Sequence, residues 1–341
     1  MINFFKNHWL LILLATLATF LAGVWVLKPF LGERIDESLP KLGKLEFEGL
    51  DINPQTKISF NLETSQKALP ILNIKREFPL TMPEVSRIAQ ALRFLEEPRI
   101  EEGITYGAVY IWNKDGYSLS ITPQANELDY SLDLISNPPT QTGDLPSPQP
   151  AKEKLLTFLD SLGISLPKTD FVQKESYLAV SGFDIKEIAP SRATILALTL
   201  NPTFNGTPII TSSPDDNMLI AEFDRRSELL TLKVKNSITS FTAAQQYHLK
   251  NPEDIKRSIY SEGKILQTEV EQHEKTVEDV YITSIQVTEA TLAYFLPKDG
   301  DIIQPIYILK GIAYASEVQQ FSVTIYLPAI KSGYFVTQPQ E

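Results

Sequence analysis

Two Ser-Leu-Pro-Lys tetrapeptides, Ser38–Lys41 and Ser165–Lys168, have the Ser-x-x-Lys spacing at which a lysine can deprotonate a serine and make it a nucleophile. Pro40 and Pro167 interrupt the turn that would bring each lysine under its serine, and no Lys-Thr-Gly or Ser-Asp-Asn element accompanies them. His273 has no second histidine four residues on, the spacing that places two ligands on one helix face, so it reads as a solvated loop histidine. Asp215-Asp216-Asn217 offers oxygens without the alternating spacing and distal glutamate of a calcium loop, and reads as an acidic turn. Glu96-Glu97 and Glu101-Glu102 read as a solvated helix end. Asn205-Gly206-Thr207 matches a glycosylation acceptor, but Asn-Gly between strand-like runs is first a hairpin turn. With no glycine-rich phosphate loop and no Gly-x-Ser-x-Gly elbow, the expectation is a non-enzymatic protein with no catalytic residues, metal site or cofactor.

Composition narrows the classes further. Zero cysteines among 341 residues exclude a disulfide framework, a thiol nucleophile and any thiolate metal site. The formal charge of 31 − 42 = −11 argues against nucleic acid as a partner.

Residues 9–27 read WLLILLATLATFLAGVWVL, 19 residues without a charge. At about 1.5 Å per residue that run can cross a hydrocarbon core of about 30 Å. Trp9 and Trp25 sit near its ends, where indoles favour headgroups, and Leu27 closes it before Lys28. A single-pass anchor is expected, with the amino terminus cytoplasmic and the bulk of the chain outside the cell membrane. Removing Lys6 and Lys28 leaves 29 − 42 = −13 on that outer part, which repels anionic headgroups.

Beyond the anchor, the patterning predicts helix-then-meander order. Thr81 and Glu84 form a capping-box signature ahead of Val85, Ile88, Leu92 and Leu95 at helical spacing, with Pro98 as the stop. Strands are predicted at 105–112, 117–122 and 128–135. Residues 136–150, with five prolines, read as a stiff linker. After them Ala151, Leu155, Phe158, Leu159 and Leu162 mark a helix closed by Gly163, and strands follow at 176–180, 193–200, 218–223 and 229–234. Asn251-Pro252 opens a third helix ending at Gly263, before strands at 280–296, 302–313 and 321–327.

The expected class is therefore α+β: one amino-terminal transmembrane helix, then two or three helix-plus-antiparallel-sheet modules. The expected boundaries are 1–28 for the cytoplasmic stub and anchor, 29–45 for a stalk and 46–135 for the first module. The linker at 136–150 then leads to modules at 151–240 and 241–330 and a tail at 331–341. Among the crowded carboxyl-terminal aromatics, Tyr294, Tyr307 and Tyr326 are the candidate interaction surface.

Residues 292–295 (Leu-Ala-Tyr-Phe), 304–311 (Gln-Pro-Ile-Tyr-Ile-Leu-Lys-Gly) and 323–329 (Val-Thr-Ile-Tyr-Leu-Pro-Ala) resemble the closing hairpins of YycH/YycI-like, PepSY-related ectodomains. The resemblance spans residues 150–330 and takes in Phe204–Ile209 and the helices at 151–162 and 251–261. It implies a membrane-anchored, non-enzymatic regulator that touches an envelope protein, with a membrane histidine kinase as the implied partner. An extracytoplasmic inhibitor or chaperone of an envelope protease or cell-wall hydrolase is the alternative.

Overall fold

Alternating apolar residues with strong β-propensity dominate the chain and set its architecture; Leu219–Asp224, for example, places every second side chain in the core. The computed structural model describes residues 35–60, 66–76, 79–103, 107–164, 166–167, 169–211, 217–235, 238–269, 282–297, 300–315 and 320–336. Strands β1 (Leu50–Asp51), β2 (Lys57–Phe60) and β3 (Ala68–Arg76) precede helix α1 (Met82–Ala91). Then come β4 (Arg99–Gly103), β5 (Gly107–Lys114), β6 (Tyr117–Thr122) and β7 (Glu127–Leu132). Helix α2 (Pro148–Ser161) leads into β8 (Phe171–Ser181), β9 (Asp184–Glu187) and β10 (Ile195–Phe204). The chain continues through β11 (Thr207–Ile210), β12 (Leu219–Asp224), β13 (Leu229–Val234) and β14 (Ile238–His248). Helix α3 (Pro252–Glu262) precedes β15 (Lys264–Glu269), β16 (Ile282–Phe295), β17 (Ile302–Ala315) and β18 (Phe321–Pro328).

Eighteen strands against three helices of 10, 14 and 11 residues, among the described residues, make this a mainly β protein. That corrects the expected α+β class of helix-plus-sheet modules behind a transmembrane helix. No described helix is long and apolar enough to cross a membrane. Trp9, Trp25 and Leu27 lie outside the described residues, as do Ser165, Lys168, Asp215, Asp216 and His273.

Strands also pair across the expected module boundaries. Antiparallel pairing runs β4-β5-β6-β7-β13-β12-β10-β8-β9, so strands on both sides of the proline segment share one nine-stranded sheet. The joint is β7 against β13, with Leu128 opposite Val234 and Tyr130 opposite Leu232. Val85, Ile88 and Ala89 of α1 and Ala151, Leu155 and Leu159 of α2 bury into one core over this sheet, with Trp112, Leu119, Leu198 and Leu232 beneath. Arg225 ties the proline segment down by donating to the carbonyls of Gln141 at 3.4 Å and Gly143 at 3.0 Å. Leu145 packs against the shared core.

A second sheet is discontinuous in sequence. β16, β17, β18, β15 and β1 pair in that order, and β2 joins β16 in parallel. β3 pairs with β14 along its length and with the start of β17. Strands β1, β2 and β3, expected in the first module, therefore complete the carboxyl-terminal sheet. Helix α3 begins as expected: Asn251 Oδ1 accepts from Asp254 N at 2.9 Å, and Asn251 N donates to Asp254 Oδ2 at 3.2 Å.

These sheets belong to one compact unit, Lys44–Ser332; the other comprises Met1–Gly43 with Gly333–Glu341. Within the smaller unit Leu42 bridges Phe335 in parallel, Leu42 N donates to Tyr334 O at 2.9 Å, and Lys41 Nζ donates to Gly333 O at 2.6 Å. The described part of the expected stalk is thus hydrogen-bonded to the expected tail.

Candidate functional site

Helices α1 and α2 end in the same way. Phe94 N bonds Ala89 O at 2.8 Å and Arg93 N bonds Gln90 O at 2.9 Å; Ile164 N bonds Leu159 O at 3.0 Å and Gly163 N bonds Asp160 O at 2.8 Å. Each pair is a Schellman motif, which requires one left-handed residue just past the helix. Gly163 fills that role at φ 68° in α2, and Arg93 fills it at φ 69° in α1. The left-handed turn also ends α1 before Leu95, which is 76% exposed rather than on the expected apolar helix face.

Between these helices, over β6, β7, β12 and β13, lies a cleft of about 660 Å³. Its apolar lining includes Phe94, Phe158 and Phe223 together with Tyr117 and Tyr130. The two tyrosines stack with ring centroids 5.1 Å apart and 11° between planes, and Phe94 meets Tyr130 edge-on at 6.3 Å. Burial pushes both phenols above their ordinary range, most strongly Tyr130, where the Arg93 charge opposes the rise. Both hydroxyls therefore stay protonated, and remain hydrogen-bond donors, through neutral pH.

Four cations, Arg93, Lys114, Lys154 and Arg226, and two acids, Asp115 and Glu228, complete the lining, a formal 4 − 2 = +2 in a chain of −11. Lys114 Nζ donates to Arg93 O at 3.3 Å and Lys154 Nζ to Ser227 O at 2.7 Å, which holds the loops at the cleft mouth. Asp224, 2% exposed, shapes the β12–β13 turn by accepting from Arg226 N and Glu228 N at 2.8 Å each. Arg93, Asp115 and Ser227 all have positive φ, three of the five such non-glycine residues described. Asp115 is explained by the tight Asp-Gly hairpin turn; Arg93 and Ser227 have no such turn preference.

The expected interaction surface is corrected. Tyr294, Tyr307 and Tyr326 are 0%, 1% and 0% exposed. The Tyr294 hydroxyl donates to Pro70 O at 3.0 Å and that of Tyr307 to Lys250 O at 2.9 Å, and Tyr326 packs edge-on against Phe47 at 5.8 Å. Burial pushes the Tyr307 phenol up to about 12. Tyr307 ends a run of five consecutive buried residues on β17, Ile303–Tyr307, and because successive side chains point to opposite faces, both faces of the strand are covered and its aromatic is core.

Sequence reasoning missed Lys250, which is 1% exposed. Its ammonium donates to Pro328 O at 2.6 Å and Ile330 O at 2.7 Å and pairs with Glu262 Oε2 at 2.8 Å. A buried lysine is a familiar nucleophile, but here two hydrogen bonds to backbone carbonyls and an ion pair occupy the ammonium, which is a structural tie. Burial pushes this ammonium below its ordinary range, against the pull of Glu262.

The remaining sequence candidates lie apart. Glu101 pairs with Arg99 at 2.9 Å on the exposed edge strand β4, and Asn205, at φ 50°, sits in the turn between β10 and β11. Among the described residues no group of three metal-ligating side chains converges.

No family model matches the chain, and no curated protein matches it significantly. It is similar to a solved structure described as the crystal structure of an uncharacterized protein from Eubacterium rectale ATCC 33656 at 1.45 Å resolution. The two share 11% identity over 84% of this chain and 92% of the other, with a TM-score of 0.47.

Proposed function

We propose that this protein is a membrane-anchored, extracytoplasmic, non-enzymatic sensor or regulator that works through protein contacts at the cell envelope, in the manner of YycI-like proteins. The observation that carries this reading is the cleft between α1 and α2. It offers aromatic faces, protonated phenols and cations, groups that bind, while Lys114 and Lys154 are tied to backbone carbonyls. The uncharged run at 9–27 supports attachment, and the resemblance of residues 150–330 supports a regulatory partner such as a membrane histidine kinase. Regulation then requires unequal affinity for two states of that partner.

Crosslinking of the full-length protein in its own membrane, followed by mass spectrometry, tests this beside a form whose residues 9–27 are replaced by an unrelated hydrophobic helix. The expected result is a histidine kinase captured by the native form and lost from the swapped one. An envelope protease or cell-wall hydrolase captured equally by both would overturn the helix-contact mechanism in favour of an inhibitor or chaperone tethered by its anchor.

A further inference from the structure

We propose that the cleft between α1 and α2 is a binding site for a small amphipathic anion with a planar aromatic body. Its volume of about 660 Å³ suits one such molecule, since small-ligand sites typically measure about 300–1,000 Å³. The stacked Tyr117–Tyr130 pair and the edge-on Phe94 present ring faces and edges on which a flat apolar body can pack. The excess of cations in an otherwise acidic chain supplies the charge complement, and Arg93 and Arg226 stand exposed at the mouth to meet an anionic head.

The comparison within the molecule is the sharpest argument. Two helices of one sheet close with the same hydrogen bonds, and where α2 uses glycine, the residue that adopts a left-handed turn without strain, α1 holds an arginine. The local fold does not ask for that arginine. Its charge acts on Tyr130, in the floor of the cleft, so the strained position puts a cation beside the aromatic stack. A glycine there would close the helix more comfortably and leave that position without its cation.

Binding by the purified full-length protein tests this independently of any regulatory partner. Calorimetric titration uses 2-naphthalenesulfonate as the probe, with 2-naphthalenemethanol as the same ring without charge and matched detergent blanks. One saturable site is expected, with the neutral analogue and the Arg93→Gly and Arg226→Ala variants each weaker by about tenfold, the scale of one lost charge-assisted contact. Arg93→Gly should keep or raise the thermal midpoint, because glycine suits the left-handed turn, so its loss of binding cannot be ascribed to misfolding. Phe183→Ser, which alters an 86% exposed ring on the β8–β9 turn, should leave binding unchanged. Absence of saturable binding up to millimolar probe overturns the proposal. So does binding that survives both arginine changes, or binding that Phe183→Ser abolishes.

Discussion

Lys250→Ala is expected to destabilise the fold by about 3–5 kcal/mol, the usual cost of removing one partner from a buried ion pair. The side chain joins the start of α3 to the strand that ends at Pro328. Without it, the carbonyls of Pro328 and Ile330 lose their donor and the Glu262 carboxylate, 13% exposed, loses its countercharge. Equilibrium urea unfolding measures the loss. The double change Lys250→Met/Glu262→Gln removes both charges and keeps most of the volume, so it should cost less than Lys250→Ala; an equal or larger cost would mean that packing, and not the charge tie, dominates. The same lysine sets an alkaline signature. Its folded pKa lies below the ordinary 10.5, so between those two values the unfolded chain binds more protons. This group therefore makes stability rise with pH in that window and adds no slope below it. The difference between wild type and Lys250→Met, followed from pH 7 upward, isolates the effect from the buried tyrosines.

Leu232→Ala should cost about 2–5 kcal/mol, and the loss should be felt across the proline segment. Leu232 is 0% exposed on β13, directly opposite Tyr130 of β7, and belongs to the core shared by α1 and α2. Trp112, 6% exposed on β5 and donating Nε1 to Glu96 O at 2.9 Å, reports on the other half of that sheet. In a Trp9→Phe/Trp25→Phe background it is the one tryptophan of three that remains. Its emission and the far-ultraviolet circular dichroism should lose their denaturation midpoints together. If Trp112 keeps its wild-type midpoint while the dichroism shifts, the halves fold separately and the shared core contributes little.

Much of the local structure was legible in the sequence, because local physics determined it. Residues 117–122 and 229–234 form strands with the expected bounds, the Asp115-Gly116 and Asn205-Gly206 pairs make the expected turns, and Asn251 caps its helix. Alternation, turn residues and caps act over a few positions, and no distant partner has to be known. The early part of α1 followed its capping box for the same reason, whereas its end did not: nothing local marks Arg93 as the residue that turns left-handed.

Tertiary structure decided the rest. The pairing of β3 with β14 joins residues far apart in the chain, and without that partner neither segment announces itself as a strand. A proline-rich composition suggests a free linker until Arg225 offers donors to its carbonyls. Tyr294, Tyr307 and Tyr326 have the composition of a binding surface and the position of a core, and only the burial of both faces of their sheet distinguishes the two. The cleft was invisible for the same reason, since Arg93, Tyr130, Lys154 and Arg226 come from four separate stretches. Sequence specifies which residues prefer to be buried, turned or charged; which of them meet depends on long-range pairings whose energy is gained only when both partners arrive.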